Sequence, residues 1–205
     1  MSKQAIVRAG HADVDTLSQV VADAFADLAP GQWLIEDATA RREIFPRFYR
    51  IYVDHAMANG VVFTTVDRTA AALWVPVGLG GPEQPDGFDE RVAEVTGQWA
   101  ERFMLFEHEL DGRYPTDVAY HYLAILAVRP DRQGQGIGTA LLDAHHAVLD
   151  QEGIAAYLEA SDERTRGVYL RHGYADYGSP VELPGGPFVY PMLRHPRTAG
   201  DPGLP

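Results

Sequence analysis

The sequence predicts a single α/β domain over residues 1–195, and three observations carry that prediction. Short apolar or β-branched runs alternate along the chain with stretches whose apolar residues recur at helical spacing. At the centre, an apolar run passes through a glycine-rich turn directly into a helical pattern. A chain of 205 residues that is 46% hydrophobic is long enough to bury a sizeable core, and no internal repeat or heptad pattern divides it.

The central stretch runs from His121 to Leu142. Its apolar segment, Leu123 to Val128, is too short for a stable lone helix and is bounded by Pro130, so it reads as a buried strand. The polar turn Arg129 to Gln135 leads into three glycines at alternate positions, Gly134, Gly136 and Gly138. Ile137, Ala140, Leu141, Ala144 and Val148 then mark one helical face. The glycines therefore lie between a strand end and a helix's first turn. Unpaired N–H groups and a partial positive charge collect there, and glycines admit an anion without an intervening side chain. A diphosphate suits such a turn.

In chain order, Ala5 to Ala9 reads as a first strand, and His11 to Asp13 as a turn with Asp13 as N-cap. Val14, Leu17, Val20, Val21, Ala24, Phe25 and Leu28 form a helical face that Pro30 and Gly31 are expected to end. A loop, Gln32 to Asp37, leads to a second helical stretch, Ala38 to Asn59, expected to be interrupted near Pro46. Val61 to Val66 and Ala70 to Val77 form a hairpin around Asp67-Arg68-Thr69, and Gly78 to Gly87 is a loose loop. Val92, Val95, Trp99, Phe103, Phe106 and Leu110 trace one face of a long helix ending at Asp111-Gly112. After the central strand and helix come a buried strand, Ile154 to Ala160, and a short helix, Asp162 to His172, stopped by Gly173. Two final strands flank Pro184-Gly185-Gly186-Pro187. The Pro/Gly-rich tail, residues 196–205, is expected to be disordered.

Charge narrows the partners. Seventeen basic residues against twenty-nine acidic give a net charge of −12, which argues against nucleic acid or an anionic membrane and favours a cationic amine. With no cysteine there is no disulfide, no thiolate metal site and no cysteine nucleophile, and no metal is expected. No run of eighteen apolar residues occurs, and the first ten residues lack a signal-peptide core, so a cytoplasmic location is expected.

Gln133-Gly134-Gln135-Gly136-Ile137-Gly138 resembles the Q/R-x-x-G-x-G/A signature of the GNAT superfamily of acyl-CoA-dependent N-acyltransferases, and the strand before it ends in a matching Leu126-Ala127-Val128. Val168-Tyr169-Leu170-Arg171-His172-Gly173-Tyr174 is similar to the family's Y-x-x-x-G-F/Y segment, at a fitting distance from the glycines. The C-terminal half most resembles the puromycin N-acetyltransferase branch. A Rossmann reading, in which Glu159 would hold a ribose, is disfavoured by the G-x-G-x-G spacing, by the polar residues between strand and glycines, and by the short remaining chain.

The resemblance implies a mixed, mostly antiparallel sheet flanked by helices, and acetyl transfer from acetyl-CoA to a primary amine of a small molecule or protein, with homodimer assembly left open. Pantetheine would pair with backbone groups around Leu126, Ala127 and Val128, and a strand N–H there would polarise the thioester. The diphosphate would sit on the amides of Gln133, Gly134, Gln135, Gly136, Ile137, Gly138 and Thr139, with Arg132 as an additional contact. Tyr169 is the expected general acid, since a phenol with a reference pKa near 10 carries its proton at neutral pH. For the general base the family position corresponds to Tyr122, with His121, Glu36, Glu107 and His108 as alternatives. Period-2 alternation puts His121 on the face opposite Tyr122, Ala124 and Leu126. Trp33, Glu36, Phe45, Phe48, Tyr49 and Tyr52 are candidates to shape the acceptor pocket, although each taken singly reads as well as core. Thr165 stands where the family often has asparagine. A non-catalytic acyl-CoA-binding module is the competing reading.

Overall fold

The computed structural model describes residues 5–197. Its strands are β1 (Ile6–Arg8), β2 (Val61–Thr65), β3 (Ala70–Val77), β4 (Tyr120–Val128), β5 (Ala155–Ala160), β6 (Ala175–Asp176), β7 (Val181–Glu182) and β8 (Phe188–Arg194). They form one mixed sheet in the order β1-β2-β3-β4-β5-β8-β6, with β7 added on β8. Every pairing is antiparallel except β4 with β5. The helices are α1 (Val14–Phe25), α2 (Ala29–Leu34), α3 (Ala38–Asn59), α4 (Phe88–Thr96), α5 (Ala100–Leu110), α6 (Ile137–Glu152) and α7 (Glu163–Arg171).

Alternation along β3 sorts the two layers. Ala71 and Leu73 pack with α1, α3, α4 and α5, while Ala70, Ala72 and Trp74 pack with α6 and with Tyr169 of α7. The layers are therefore α1 and α3–α5 on one face and α6–α7 on the other. This agrees with the architecture expected from the sequence.

Three expectations about helices are revised. Pro30 and Gly31 do not end a helix; α1 stops at Phe25, and Pro30 occupies the first turn of α2, where its missing N–H costs nothing. The stretch Gln32 to Leu34 is accordingly helical rather than loop. Pro46 does not interrupt α3, which is continuous from Ala38 to Asn59. The bond it removes is outweighed by the burial of Phe45, Phe48, Tyr49, Ile51 and Val53 on both sides of it. The single long helix over 92–110 is two helices, because Gly97 adopts φ +56° and turns the chain.

Asp13 precedes α1 as expected, but its carboxylate accepts from Gly10 N–H (2.9 Å) and Arg68 Nε (2.9 Å) rather than from a helix amide. Two strands, β7 and β8, flank the Pro184 to Pro187 turn as expected, and a further two-residue strand, β6, precedes them. Of the expected disordered tail, residues 198–205 lie outside the described residues, whereas the Arg197 N–H donates to Asp150 Oδ1 at 2.8 Å. Among the described residues, no helix is long and apolar enough to cross a membrane.

Two irregularities of β4 position the site. Leu73 faces Ile125 but Trp74 faces Leu123, so Ala124 is an extra residue, a β-bulge. Ile125 and Ala127 therefore face the α1/α3 layer, and Leu126 and Val128 join Leu123 on the α6 side. Strict alternation placed Leu126 on the face of Tyr122; the bulge moves it to the other. The second irregularity is the parting of β4 from β5. They pair only from Tyr120↔Ala155 to Tyr122↔Tyr157. Beyond that point β3 holds the outer edge of β4 as far as Val128, and β8 holds the outer edge of β5 as far as Ala160. There the inner edges of the two strands face a wedge and have no strand partner among the described residues.

Candidate active site

On the side of the wedge nearest α6, the glycine turn adopts the conformation its residues allow. Gly134 (φ +73°) and Gly136 (φ +77°) are left-handed, and a Cβ at either would meet open space. Gly138 lies against β4, its Cβ position 3.8 Å from Leu126 and 3.9 Å from Val128. The first intrahelical bond of α6 runs from Ala140 N to Gly136 O (3.0 Å), so the N–H groups of Ile137, Gly138 and Thr139 have no acceptor within the helix. This open cradle of amides at a helix N-terminus fits an anion.

The flanking side chains are already engaged. Gln133 Nε2 donates to Val128 O (3.1 Å), tying the turn to the end of β4, and Gln135 Nε2 reaches Asp131 O (3.5 Å). Arg132 donates to Asp67 Oδ2 (3.0 Å) and ties the turn to the β2–β3 hairpin. Thr139 Oγ1 lies 3.3 Å from His172 Nε2.

Tyr169 projects from α7, which Asp162 caps by accepting from Thr165 N–H (2.7 Å). Thr165 Oγ1 in turn is 2.9 Å from Asp162 Oδ1, so the residue that departs from the family pattern is used in the helix cap. The Tyr169 ring packs edge-on against Tyr174 (5.6 Å) in the same apolar cluster as Leu126 and Val128 of β4 and Leu158 and Ala160 of β5. It thus stands where the two strands part. Burial, then the Asp162 charge, pushes its pKa up, which keeps the phenol protonated.

On the opposite side of the wedge lies a cleft of about 1270 Å³, counting the solvent at its mouth. Its walls include parts of α1–α5 and of the 78–87 loop, with Tyr122, Ala124 and Ile125 of β4 and Glu159 and Ser161 at the end of β5. Phe48, Tyr49 and Tyr52 are in its walls as expected. Trp33, Glu36 and Phe45 are not: Trp33 donates to Pro184 O (3.2 Å) under the Arg102 guanidinium, Glu36 is paired with Arg102 (3.0 Å), and Phe45 is core.

Two of the carboxylates lining this cleft are each bonded to a tyrosine. Tyr52 Oη donates to Glu107 Oε1 (2.7 Å), and Tyr122 Oη donates to Glu159 Oε2 (2.8 Å). Glu159 Oε1 is buried and has no hydrogen-bond partner among the described residues. Burial raises the Glu107 pKa to about 7, with the Tyr52 bond opposing. Burial likewise raises Glu159 to about 7, with the Tyr122 and Tyr157 hydroxyls opposing and the Glu107 charge adding to the rise. Carboxylates poised near neutrality in a cleft are suited to accept a proton.

Among the other base candidates, His121 points to the α6 side, its Nδ1 2.9 Å from His145 Nε2, and His108 is exposed and outside the cleft walls. Tyr122 is in the cleft but presents its hydroxyl to Glu159. From the sequence, Glu159 has a role only in the disfavoured Rossmann reading, as a ribose ligand. The available signal was a lone carboxylate at the end of an otherwise apolar strand, Ala155-Ala156-Tyr157-Leu158-Glu159-Ala160.

Residues 92–176 match the family model described as acetyltransferase (GNAT) domain. Among solved structures, the chain is similar to a histone acetyltransferase HPA2-related acetyltransferase from Corynebacterium glutamicum, with TM-score 0.68 and 19% identity, over 97% of this chain and 99% of that one. It is also similar to arylalkylamine N-acetyltransferase 2 from Aedes aegypti, with TM-score 0.62 and 12% identity, over 96% and 100% of the two chains. A GNAT family acetyltransferase from Brucella melitensis in complex with acetyl-CoA gives TM-score 0.52 and 18% identity, over 100% and 93%. At these identities the likeness is one of fold. The match to a GNAT acetyltransferase domain lies across the glycine turn and Tyr169, and the solved structures share its fold.

Proposed function

We propose that the protein transfers an acetyl group from acetyl-CoA directly to a primary amine bound in the carboxylate-lined cleft. The observation that carries this reading is the parting of β4 and β5 between two complementary sites. The glycine-turn amides lie on one side of the gap and a cleft with two near-neutral carboxylates lies on the other. The binding of acetyl-CoA by the Brucella melitensis relative supports the choice of donor.

Acetyl-CoA supplies an activated acyl thioester. In this reading the amides from Gln133 to Thr139 hold its diphosphate, and the free inner edge of β4 at Leu126, Ala127 and Val128 pairs with its amide-bearing arm. A strand N–H near the Ala124 bulge then faces the carbonyl oxygen as negative charge grows on it. The amine must be neutral to attack, and the Glu159 carboxylate takes its proton, with Tyr122 holding the carboxylate in place. As the C–N bond forms and the C–S bond breaks, Tyr169 gives its hydroxyl proton to the departing thiolate. Glu107 contributes negative potential that favours an ammonium in the cleft.

Incubation with acetyl-CoA and a panel of amines, monitoring free thiol and acetylated amine together, tests the reading. Amine-dependent thiol release with equal amounts of amide supports it. Tight acetyl-CoA binding with no amide from any amine would instead favour the acyl-CoA-binding module without catalysis.

A further inference from the structure

The walls of the cleft restrict the acceptor more closely than the reaction alone does. Four carboxylates line it, Glu83, Glu107, Asp111 and Glu159, and among the described residues neither lysine nor arginine is in its walls. The one lining histidine, His55, is held towards its neutral form chiefly by burial. A substrate that carries its own carboxylate or phosphate would therefore find no cation to pair with, and would lie beside like charges.

The rest of the surface is largely apolar, with aliphatic residues such as Leu34, Leu110 and Ile125 beside a group of aromatic rings. Phe48 and Tyr52 pack edge-on with centroids 5.4 Å apart, Tyr52 and Phe88 likewise at 5.8 Å, and Phe106 also lines the cleft. Ring edges and faces set in this way accept a further ring in the tilted geometry that aromatic groups prefer. Glu159, which lines the cleft, has a buried Oε1 with no partner among the described residues, an acceptor that an ammonium N–H would satisfy.

We propose that the acceptor is a small monocationic amine with a ring-bearing apolar body and no acidic group, its ammonium on Glu159 and its ring among Phe48, Tyr52, Phe88 and Phe106. This inference rests on the acetyl-transfer reading for its biological sense, but binding alone tests it.

Calorimetric titration of 2-phenylethylamine, L-phenylalanine and n-butylamine into the protein saturated with CoA separates the terms. The first pair differ by an α-carboxylate, and the first and third by the ring. The expected result is tightest binding of 2-phenylethylamine, at least ~100-fold over L-phenylalanine and ~10-fold over n-butylamine, each 1.4 kcal/mol of discrimination giving tenfold. Glu159→Gln, verified as folded by its thermal melt, should weaken 2-phenylethylamine by ~10-fold or more. Glu107→Gln provides a second variant should the first fail to fold, and it should weaken the same amine. Equal or tighter binding of L-phenylalanine, or tighter binding of n-butylamine, overturns the inference, as does undiminished affinity in a folded variant. Selective 2-phenylethylamine binding without any acetylation would overturn the transfer reading and leave this inference standing.

Discussion

Tyr122 Oη donates to Glu159 Oε2 at 2.8 Å, bridging β4 and β5 at the point where the two strands cease to pair. The bond ties a residue of the last paired rung to a carboxylate in the cleft whose other oxygen is buried with no partner among the described residues. Glu159→Gln should therefore lower kcat/KM for acetyl transfer by ~10²-fold or more, the usual scale for losing a general base. Tyr122→Phe, which leaves the carboxylate present but unanchored, should cause a smaller loss. Steady-state kinetics on both variants provides the check, and a larger loss from Tyr122→Phe would contradict the assignment of the proton to Glu159.

The pH dependence follows from the same carboxylate. A base with a pKa of about 7 must be ionised to act, so the wild-type rate should rise through neutrality. Ionisation of the amine itself adds a rise shared by all variants. The ratio of wild-type to Glu159→Gln activity isolates the carboxylate and should climb between pH 6 and 8. A ratio flat across that range would oppose the assignment.

Stability should move the other way. Because the folded pKa of Glu159 stands above its ordinary value of 4.5, the fold holds the proton more tightly than the unfolded chain. The resulting stabilisation is full below pH 4.5 and is lost as pH rises through about 7. Glutamine mimics the neutral acid at every pH. Glu159→Gln should therefore melt near wild type at pH 5 and above it at pH 8.5, by at least ~3 °C, the shift that roughly 1 kcal/mol gives a chain of this size. A thermal melt at the two pH values reads it directly.

At the donor site, Gly136→Asp places a carboxylate among the amides of the α6 N-terminus. Because Gly136 has φ +77°, any side chain is strained there, and Gly136→Asn serves as the control of nearly equal shape. Calorimetry should show acetyl-CoA weakened ~10-fold or more by the aspartate relative to the asparagine. Equal affinities of the two variants would remove the diphosphate from this turn.

The glycine turn, the strand before it and Tyr169 were legible in the sequence because each depends on local chemistry. Glycines at alternate positions, an apolar run and helical spacing act over a few residues. The cleft was not legible in the same way. Its walls come from five helices, from loops and from four strands, and Ala124 is an extra residue only relative to its pairing with β3. Glu159 gains its meaning from Tyr122, 37 positions earlier. Pro30 and Gly97 misled for a simpler reason. Proline serves a helix start as well as a stop, and the apolar face of 92–110 continues in phase across a glycine that breaks it.

One glycine matters to the fold alone. A Cβ at Gly60, between α3 and β2, would lie 1.9 Å from the carbonyl oxygen of Trp74, a backbone atom that cannot move without disturbing β3. Gly60→Ala should destabilise the protein by ~2 kcal/mol or more, seen as a lower denaturant midpoint at unchanged slope. A midpoint equal to wild type would contradict this packing.

The central claim, direct transfer across the wedge, is tested most directly by a single measurement. Wild type and Tyr169→Phe are given isotopically labelled acetyl-CoA and an accepted amine, and labelled amide is quantified by mass spectrometry alongside free CoA. The expected result is one labelled amide per CoA released, no labelled protein, and a kcat lowered by ~10²-fold in Tyr169→Phe with acetyl-CoA affinity near wild type. Thiol release independent of the amine, or a label retained on the protein, would contradict the account.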